Sequence, residues 1–239
     1  MENHKKILVA FDTPNIAKIR GTIEQIGDLV GGVKLGLEFF NANGINGVNK
    51  VMERNDNYLF LDLKFHDIPN TVAGAIRGAM TGHIPNMINV HTAGGLEMMK
   101  KAKAQAVELG EQLGVTPPLV IGVTILTALD DNDMNEIGYS SGTNEQVIKM
   151  AKLAKQAGLD GVVCSAFEIE AIKQACGDDF VLVVPGIRPE GADAGDQKRI
   201  MTPKQALDKG ADYIVIGRPI TQAEDMKAVA QSIYDSVNK

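Results

Sequence analysis

Eight short apolar runs, separated by segments with helical periodicity, constrain this sequence more than any other feature. The runs are rich in Val, Ile and Leu, and they are nearly continuous in apolar residues instead of alternating with polar ones. Strands that are buried on both faces of a parallel sheet have this character. The runs lie at 7–12, 31–37, 58–65, 87–92, 119–126, 160–166, 181–187 and 213–220.

Amphipathic segments stand between these runs. The first has isoleucines at three- and four-residue steps, which places them on one face of a helix. These are Ile16, Ile19, Ile23 and Ile26. Further helices are predicted at 96–113, 143–157, 167–176, 203–209 and 222–237. Strand and helix alternating eight times predict an α/β fold of the (β/α)8 TIM-barrel type. An open doubly wound sheet is the alternative, but no GxGxxG follows the first run and eight strands suit a closed barrel.

Length and composition limit the functional classes. The 239 residues fit one barrel, and no linker or low-complexity tract divides them, so we expect a single domain over residues 1–239. A net charge of −6, the absence of Trp and the lack of any Lys/Arg-rich run argue against nucleic-acid binding. No apolar stretch approaches the roughly 18 residues of a membrane span. Two cysteines suit a reducing compartment, and we expect a cytoplasmic protein.

The stretch DLKFHDIPNT sends two carboxylates and an ammonium out of the third run, at a strand end where (β/α)8 barrels carry their chemistry. Residues two apart in a strand face the same side, so Asp62 and Lys64 are expected to point together. Asp67 follows at the start of the next helix, and Lys34 lies in the second run, near the end of the predicted strand. These four side chains would form an alternating array of charges. A structural network of ion pairs at the barrel rim is the competing interpretation.

The loops after the seventh and eighth runs each pair a glycine with an arginine. In this architecture these two loops often bind phosphate. Gly186 and Gly217 would let backbone N–H groups approach an anion, and Arg188 and Arg218 would each offer a planar fork of donors. The pattern favours a phosphate site over salt-bridged surface arginines.

The segment 189–198 is long, poor in apolar residues and rich in Gly, Ala and Asp. It fits a mobile lid whose Gln197 contacts a ligand on closure, and it fits a solvated loop equally well.

These motifs together resemble the bacterial orotidine 5′-phosphate decarboxylase family over essentially the whole chain. The matching stretches are VAFD, VKLG, FLDLKFHDIPNT, NVHTAGG, GVTILT, VVCSA, PGIRP with a downstream Gln197, and IVIGRPI. The extended third-strand motif is highly specific, whereas the others alone are not. The resemblance implies decarboxylation of orotidine 5′-phosphate to uridine 5′-phosphate, the last step of de novo UMP biosynthesis.

The Asp-x-Lys-x-x-Asp pattern is shared with 3-keto-L-gulonate 6-phosphate decarboxylases and hexulose phosphate synthases, which resemble magnesium enzymes with a Glu ligand on the second strand. This sequence has Lys34 there, and an ammonium cannot ligate a metal. The resemblance therefore implies the branch that uses no metal and no cofactor. A magnesium-dependent sugar-phosphate lyase of the same suprafamily and a non-catalytic nucleotide-phosphate-binding barrel stay open as alternatives.

The resemblance also implies roles for individual residues. Lys64 would protonate carbon 6 of the pyrimidine, with Asp62 and Asp67 keeping its ammonium charged and oriented, and Lys34 would complete the catalytic set. Substrate binding is implied for Asp12, Lys34, Thr71, Thr127, Ser165, Arg188, Gln197, Gly217 and Arg218. Asp67 and Thr71 are implied to reach the active site of a partner subunit, which would make a homodimer the functional unit.

Overall fold

Eight parallel strands form one closed barrel, and their order around the barrel is their order along the chain. The computed structural model describes residues 2–189 and 201–238. The strands are β1 (Ile7–Phe11), β2 (Gly32–Leu35), β3 (Tyr58–Phe65), β4 (Met87–His91), β5 (Leu119–Val123), β6 (Gly161–Val163), β7 (Val181–Val184) and β8 (Tyr213–Ile216). The (β/α)8 prediction is confirmed, and every strand begins within one residue of a predicted run.

Helices cover the outside of the barrel. They are α1 (Ile16–Ile26), α2 (Leu37–Met52), α3 (Pro69–Ala79), α4 (Leu96–Leu113), α5 (Asp131–Glu136), α6 (Thr143–Gln156), α7 (Ile169–Cys176), α8 (Pro203–Asp208), α9 (Arg218–Thr221) and α10 (Met226–Asn238). The predicted segment 222–237 starts too early, because α9 occupies the first residues after β8 and α10 begins only at Met226. Within the described ranges no helix is both long and apolar enough to cross a membrane.

The apolar core has two parts, because successive strand residues point to opposite faces of the sheet. The larger part lies between the strands and the helices, and the isoleucine stripe of α1 packs into it. The smaller part fills the barrel itself with inward side chains of the strands, among them Leu8, Phe60, Met87 and Val215. At the amino-terminal floor the ring of Tyr213 lies 5.3 Å from another tyrosine ring at the start of β3. The interior is therefore packed from the floor upward, and free space remains at the carboxyl-terminal mouth.

Candidate active site

A cavity of about 270 Å³ opens at the carboxyl ends of the strands. Its polar lining comes from Lys34, Asp62, Lys64 and Thr127, and the rest of its wall is apolar. The apolar side chains include those of Phe60, Val123, Ile125, Val163, Val183 and Val215. Three charged groups thus face a space that is otherwise lined by hydrocarbon, where electrostatic interactions are stronger than in water.

Two lysines share one aspartate in this cavity. The Nζ atom of Lys34 lies 2.8 Å from Oδ2 of Asp62, and the Nζ atom of Lys64 donates to Oδ1 of Asp62 at 2.6 Å. Lys34 pairs in register with Phe60, two residues before Asp62 on β3, so both side chains point into the barrel. The structure therefore brings together three members of the predicted charge array.

The side chain of Asp62 is 9% exposed, and burial by itself raises its pKa. The nearby ammonium groups of Lys34 and Lys64 outweigh burial and hold the pKa of Asp62 well below its usual range. The carboxylate therefore stays ionised at neutral pH and can orient both lysines at once.

The backbone at Lys64 departs from a regular strand. Lys64 has a φ of 50°, the one positive φ among the described residues other than glycine. The pairing of β3 with β4 also shifts, because four residue steps from Leu61 to Phe65 stand opposite two steps from Ile88 to Val90. The alternation of side chains along a strand thus predicted the contact between Asp62 and Lys64 correctly, but for an incomplete reason. A bulge in β3 also directs the side chain of Lys64 toward the cavity.

Asn89 of β4 is a residue of this site that the sequence analysis missed. Its side chain is fully buried, its Nδ2 donates to Oδ1 of Asp62 at 2.7 Å, and its Oδ1 accepts from the backbone N–H of Lys64 at 2.7 Å. The signal was present in the run MINVH, where one amide interrupts apolar residues. Met87 points into the barrel, and residues two apart in a strand face the same side, so Asn89 could have been expected to point inward as well.

Asp12 lies at the edge of the array. One of its oxygens is 4.0 Å from Nζ of Lys34, and its side chain is 63% exposed. Gly217 follows β8 next to it, and a Cβ added there would lie 3.9 Å from the carboxylate of Asp12. The end of β8 therefore lies beside the lysine-rich side of the mouth.

Two histidines lie near the array. The rings of His66 and His91 are tilted against each other with centroids 5.5 Å apart. Burial lowers the pKa of His91, and the charges of His66 and Lys64 lower it further. His91 is therefore uncharged near pH 7 and adds no positive charge to the two lysines.

Comparison with known proteins places this geometry in a family. Residues 5–233 match the model of the "Orotidine 5′-phosphate decarboxylase / HUMPS family". The chain belongs to this family.

Relatives in the orotidine 5′-phosphate decarboxylase / HUMPS family cover almost all of the chain. The orotidine 5′-phosphate decarboxylase of Actinobacillus pleuropneumoniae serotype 5b is 49% identical over 232 residues, which are 97% of this chain and 98% of the relative. That of Moorella thermoacetica is 48% identical over 98% of this chain and 92% of the relative. The crystal structure of the enzyme from Lactobacillus acidophilus has a TM-score of 0.83 and 38% identity, over 98% of this chain and 99% of that one.

The magnesium site of the alternative branch of the family does not fit these residues. Both oxygens of Asp62 receive lysine ammonium groups, and one of them receives the Asn89 amide as well. A divalent cation would have to displace these donors next to two positive charges. Among residues 2–189 and 201–238 no group of three His, Cys, Asp or Glu side chains is placed to hold a metal ion.

The phosphate-binding residues predicted from the family motifs follow β7 and β8, which are neighbours in the barrel. Val184 and Ile214 pair in register, and Arg188 and Arg218 each lie four residues further along the chain. Arg188 is buried, and its backbone N–H donates to the carbonyl of Met201 at 3.0 Å. The two arginines thus follow neighbouring strands of the barrel. The predicted lid contact Gln197 lies outside the described residues.

The remaining predicted residues lie around the cavity or apart from it. Thr127 lines it directly. Ser165 is buried after β6, and its backbone N–H donates to the carboxylate of Glu168 at 2.6 Å. Asp67 and Thr71 are exposed, and Asp67 accepts a hydrogen bond from the N–H of Ile68 at 2.6 Å. Within the described part of this single chain, Asp67 forms no ion pair with either lysine of the array.

Proposed function

We propose that this chain catalyses the decarboxylation of orotidine 5′-phosphate to uridine 5′-phosphate, with the Lys34–Asp62–Lys64 array as its catalytic centre. The observation that supports this most directly is the position of Lys64. Its ammonium is held 2.6 Å from Asp62 in a cavity whose remaining wall is mostly apolar. The reaction is the one named for relatives that are nearly half identical over nearly the whole chain.

Loss of carbon dioxide breaks the bond between carbon 6 and the carboxylate and leaves the electron pair on carbon 6. This pair lies in the plane of the pyrimidine, where the ring π system cannot delocalise it. In our proposal the ammonium of Lys64 stabilises the developing charge electrostatically and then transfers one proton to carbon 6. The products are carbon dioxide and uridine 5′-phosphate, and the neutral amine regains its proton from solvent.

Asp62 and Lys34 would prepare this step before the substrate arrives. Asp62 remains a carboxylate because its pKa is depressed by the two ammonium groups, so Lys64 is oriented without any rearrangement during the reaction. Lys34, together with Asp12 at the edge of the array, would contact the ribose. Thr127 and Ser165 would hold the pyrimidine.

Arg188, Gln197, Gly217 and Arg218 would bind the phosphate, away from the bond that breaks. Interactions with such a remote group can hold the substrate in the reactive position, and their binding energy then lowers the barrier to reaction. Arg188 and Arg218 follow neighbouring strands, which supports a shared anion site.

We further propose a homodimer in which Asp67 and Thr71 complete the partner's active site. Both are exposed in the single chain, as is Ile68 between them, so these side chains are accessible to a partner subunit. Residues 1–239 would form one domain, acting in the cytoplasm, where nucleotide synthesis supplies the substrate. Sedimentation velocity tests the dimer, and a monomer at micromolar concentration would contradict it.

The assay that tests the function follows the absorbance loss of orotidine 5′-phosphate with and without EDTA. We expect turnover that EDTA does not change. Activity abolished by EDTA and restored by magnesium would indicate the metal-dependent branch of the family. Tight nucleotide binding without turnover would indicate a binding barrel and would contradict the proposal.

A further inference from the structure

Asn89 is a polar residue at a position in the barrel where packing alone would favour an apolar side chain. It lies in the middle of β4, between apolar residues, and none of its surface reaches solvent. An amide buried at such a site is costly unless its hydrogen-bonding groups are satisfied. Here each end of the amide has a partner at 2.7 Å, and both partners belong to the catalytic array.

The two partners allow only one orientation of this amide. The carboxylate of Asp62 can only accept a hydrogen bond, and the backbone N–H of Lys64 can only donate one. The Nδ2 group must therefore face Asp62 and the Oδ1 atom must face Lys64. Leucine at this position would lose both bonds, and an ionised aspartate would lose the bond to Asp62.

The bond to Lys64 is made where the backbone is strained. A lysine with a φ of 50° is held in a conformation that residues other than glycine rarely adopt, and it persists only where surrounding contacts impose it. The bulge in β3 removes this segment from regular pairing with β4, and Asn89 lies between the two register pairs that flank the bulge. Its side chain thus fixes the backbone N–H of the residue whose ammonium points into the cavity.

The bond to Asp62 fixes the other end of the same pair. Oδ1 of Asp62 receives both the Nζ of Lys64 and the Nδ2 of Asn89. One amide therefore holds the backbone of Lys64 and the carboxylate that orients the Lys64 side chain.

We propose that Asn89 is a positioning residue, which sets the location of the Lys64 ammonium through its backbone and through Asp62. This inference rests on the proposed decarboxylase function. Asn89 does not line the cavity, and its effect is expected on the chemical step more than on substrate binding.

The first test is Asn89→Leu, which keeps the number and branching of the side-chain heavy atoms and removes both bonds. We expect kcat to fall on the order of 100-fold, the usual result of misplacing a reacting group by about 1 Å, with KM changed less than about threefold. The matched control is Thr92→Val, which removes a buried hydroxyl that donates to the carbonyl of Val123 at 2.8 Å, away from the charged groups. This control should lose stability and retain kcat.

The second test is Asn89→Asp. The new side chain keeps an oxygen that accepts from the backbone N–H of Lys64, and it places a second carboxylate next to that of Asp62. Protonation of the introduced carboxyl restores a donor toward Asp62, and the adjacent negative charge favours that protonation. The ratio of its kcat to that of the wild type should therefore rise about tenfold or more from pH 8 to pH 5.5. The titratable groups around this position are Lys34, Asp62, Lys64 and His91, and both proteins contain them all.

Circular dichroism and thermal unfolding of each variant accompany the kinetics. If Asn89→Leu does not fold, the pH dependence of Asn89→Asp decides. A wild-type kcat in Asn89→Leu, or a ratio for Asn89→Asp that is flat with pH, would overturn the proposal. An inactive wild-type protein would instead contradict the proposed function, so the two failures are distinguishable.

Discussion

Asp62 and Asp160 both hold lysines at hydrogen-bond distance, and they lie at opposite ends of the strands. Asp62 at the mouth contacts Lys34 and Lys64, and Asp160 at the floor contacts Lys103 through both of its oxygens at 2.7 Å. Asp160 also accepts from the backbone N–H of Val120 at 2.7 Å. The chemistry of the ion pairs is the same, and their surroundings differ.

The floor carboxylate uses its oxygens to connect structural elements. Its partners are the start of β5 and a lysine of α4 on the outside of the barrel, and both charged side chains are about one-fifth exposed. Among the described residues the donors to the mouth carboxylate are side chains, and two of them, Lys34 and Lys64, line a cavity with a mostly apolar wall. An aspartate–lysine pair is therefore a weak indicator of function, and the cavity and the second lysine distinguish the mouth pair.

The largest expected effect comes from removing one lysine at each end. Lys64→Ala should lower kcat by about 10⁴-fold or more, because it removes the proton donor and the electrostatic stabilisation together. Lys103→Ala should leave kcat within about twofold. Steady-state kinetics on both variants, with circular dichroism to show that they fold, makes the comparison. Near-normal decarboxylation by Lys64→Ala would contradict the catalytic assignment.

The next comparison neutralises the two carboxylates. Asp62→Asn should lower kcat on the order of 100-fold, because the Lys34 and Lys64 ammonium groups lose the charge that orients them. Asp160→Asn should leave kcat near the wild-type value and lower the free energy of unfolding by about 1–3 kcal/mol, as expected when a charge-assisted bond at the floor is weakened. Urea denaturation together with kinetics measures both quantities. Equal losses of activity in the two variants would remove the distinction between mouth and floor.

The third comparison concerns Arg218, which follows β8 and is proposed to bind the phosphate of the substrate. Arg218→Ala should reduce kcat/KM for orotidine 5′-phosphate by about 10- to 100-fold, the usual contribution of a hydrogen bond to a charged group. The same variant should decarboxylate orotidine, which lacks the phosphate, at the wild-type rate. Arg20→Ala, at a surface arginine 3.6 Å from Glu53, is the control. An equal loss with both substrates would show that Arg218 does not act through phosphate.

The smallest expected effect concerns two histidines. Burial lowers the pKa of His91 at the mouth, as it does for His83 before β4. An aspartate opposes the shift at each site, but only at His91 do His66 and Lys64 lower the pKa further. A histidine with a lowered folded pKa binds fewer protons when folded, so stability falls as pH drops below about 6.5 and levels off below the folded pKa.

His91→Gln should therefore reduce the loss of thermal stability between pH 7.5 and pH 5.5, by about 3 °C or less in Tm. His83→Gln should reduce it less. Differential scanning calorimetry at the two pH values is the measurement. A larger effect at His83 would show that the charges of the mouth do not reach His91.

The sequence predicted the barrel well because its signals are local. Apolar runs identify strands, and a stripe such as that of Ile16 and Ile19 identifies a helix. The helix expected at Asp67 begins two residues later, as α3. The helices α2, α5 and α9 were not predicted. The interior of α2 contains Gly44 with a φ of 59°, which breaks the helical periodicity on which such a prediction relies.

The sequence by itself determined which charged groups end the strands, because strand ends follow from local apolar patterns. It also placed Asp62, Lys64 and Lys34 at one end of the barrel, since parallel strands share a direction. Only the tertiary structure decided that Asp67 stays apart from this array, that a bulge gives Lys64 its left-handed backbone, and that Asn89 joins Lys64 to Asp62. These features depend on the register between neighbouring strands, and register is set by packing across the barrel, which no single segment of sequence contains.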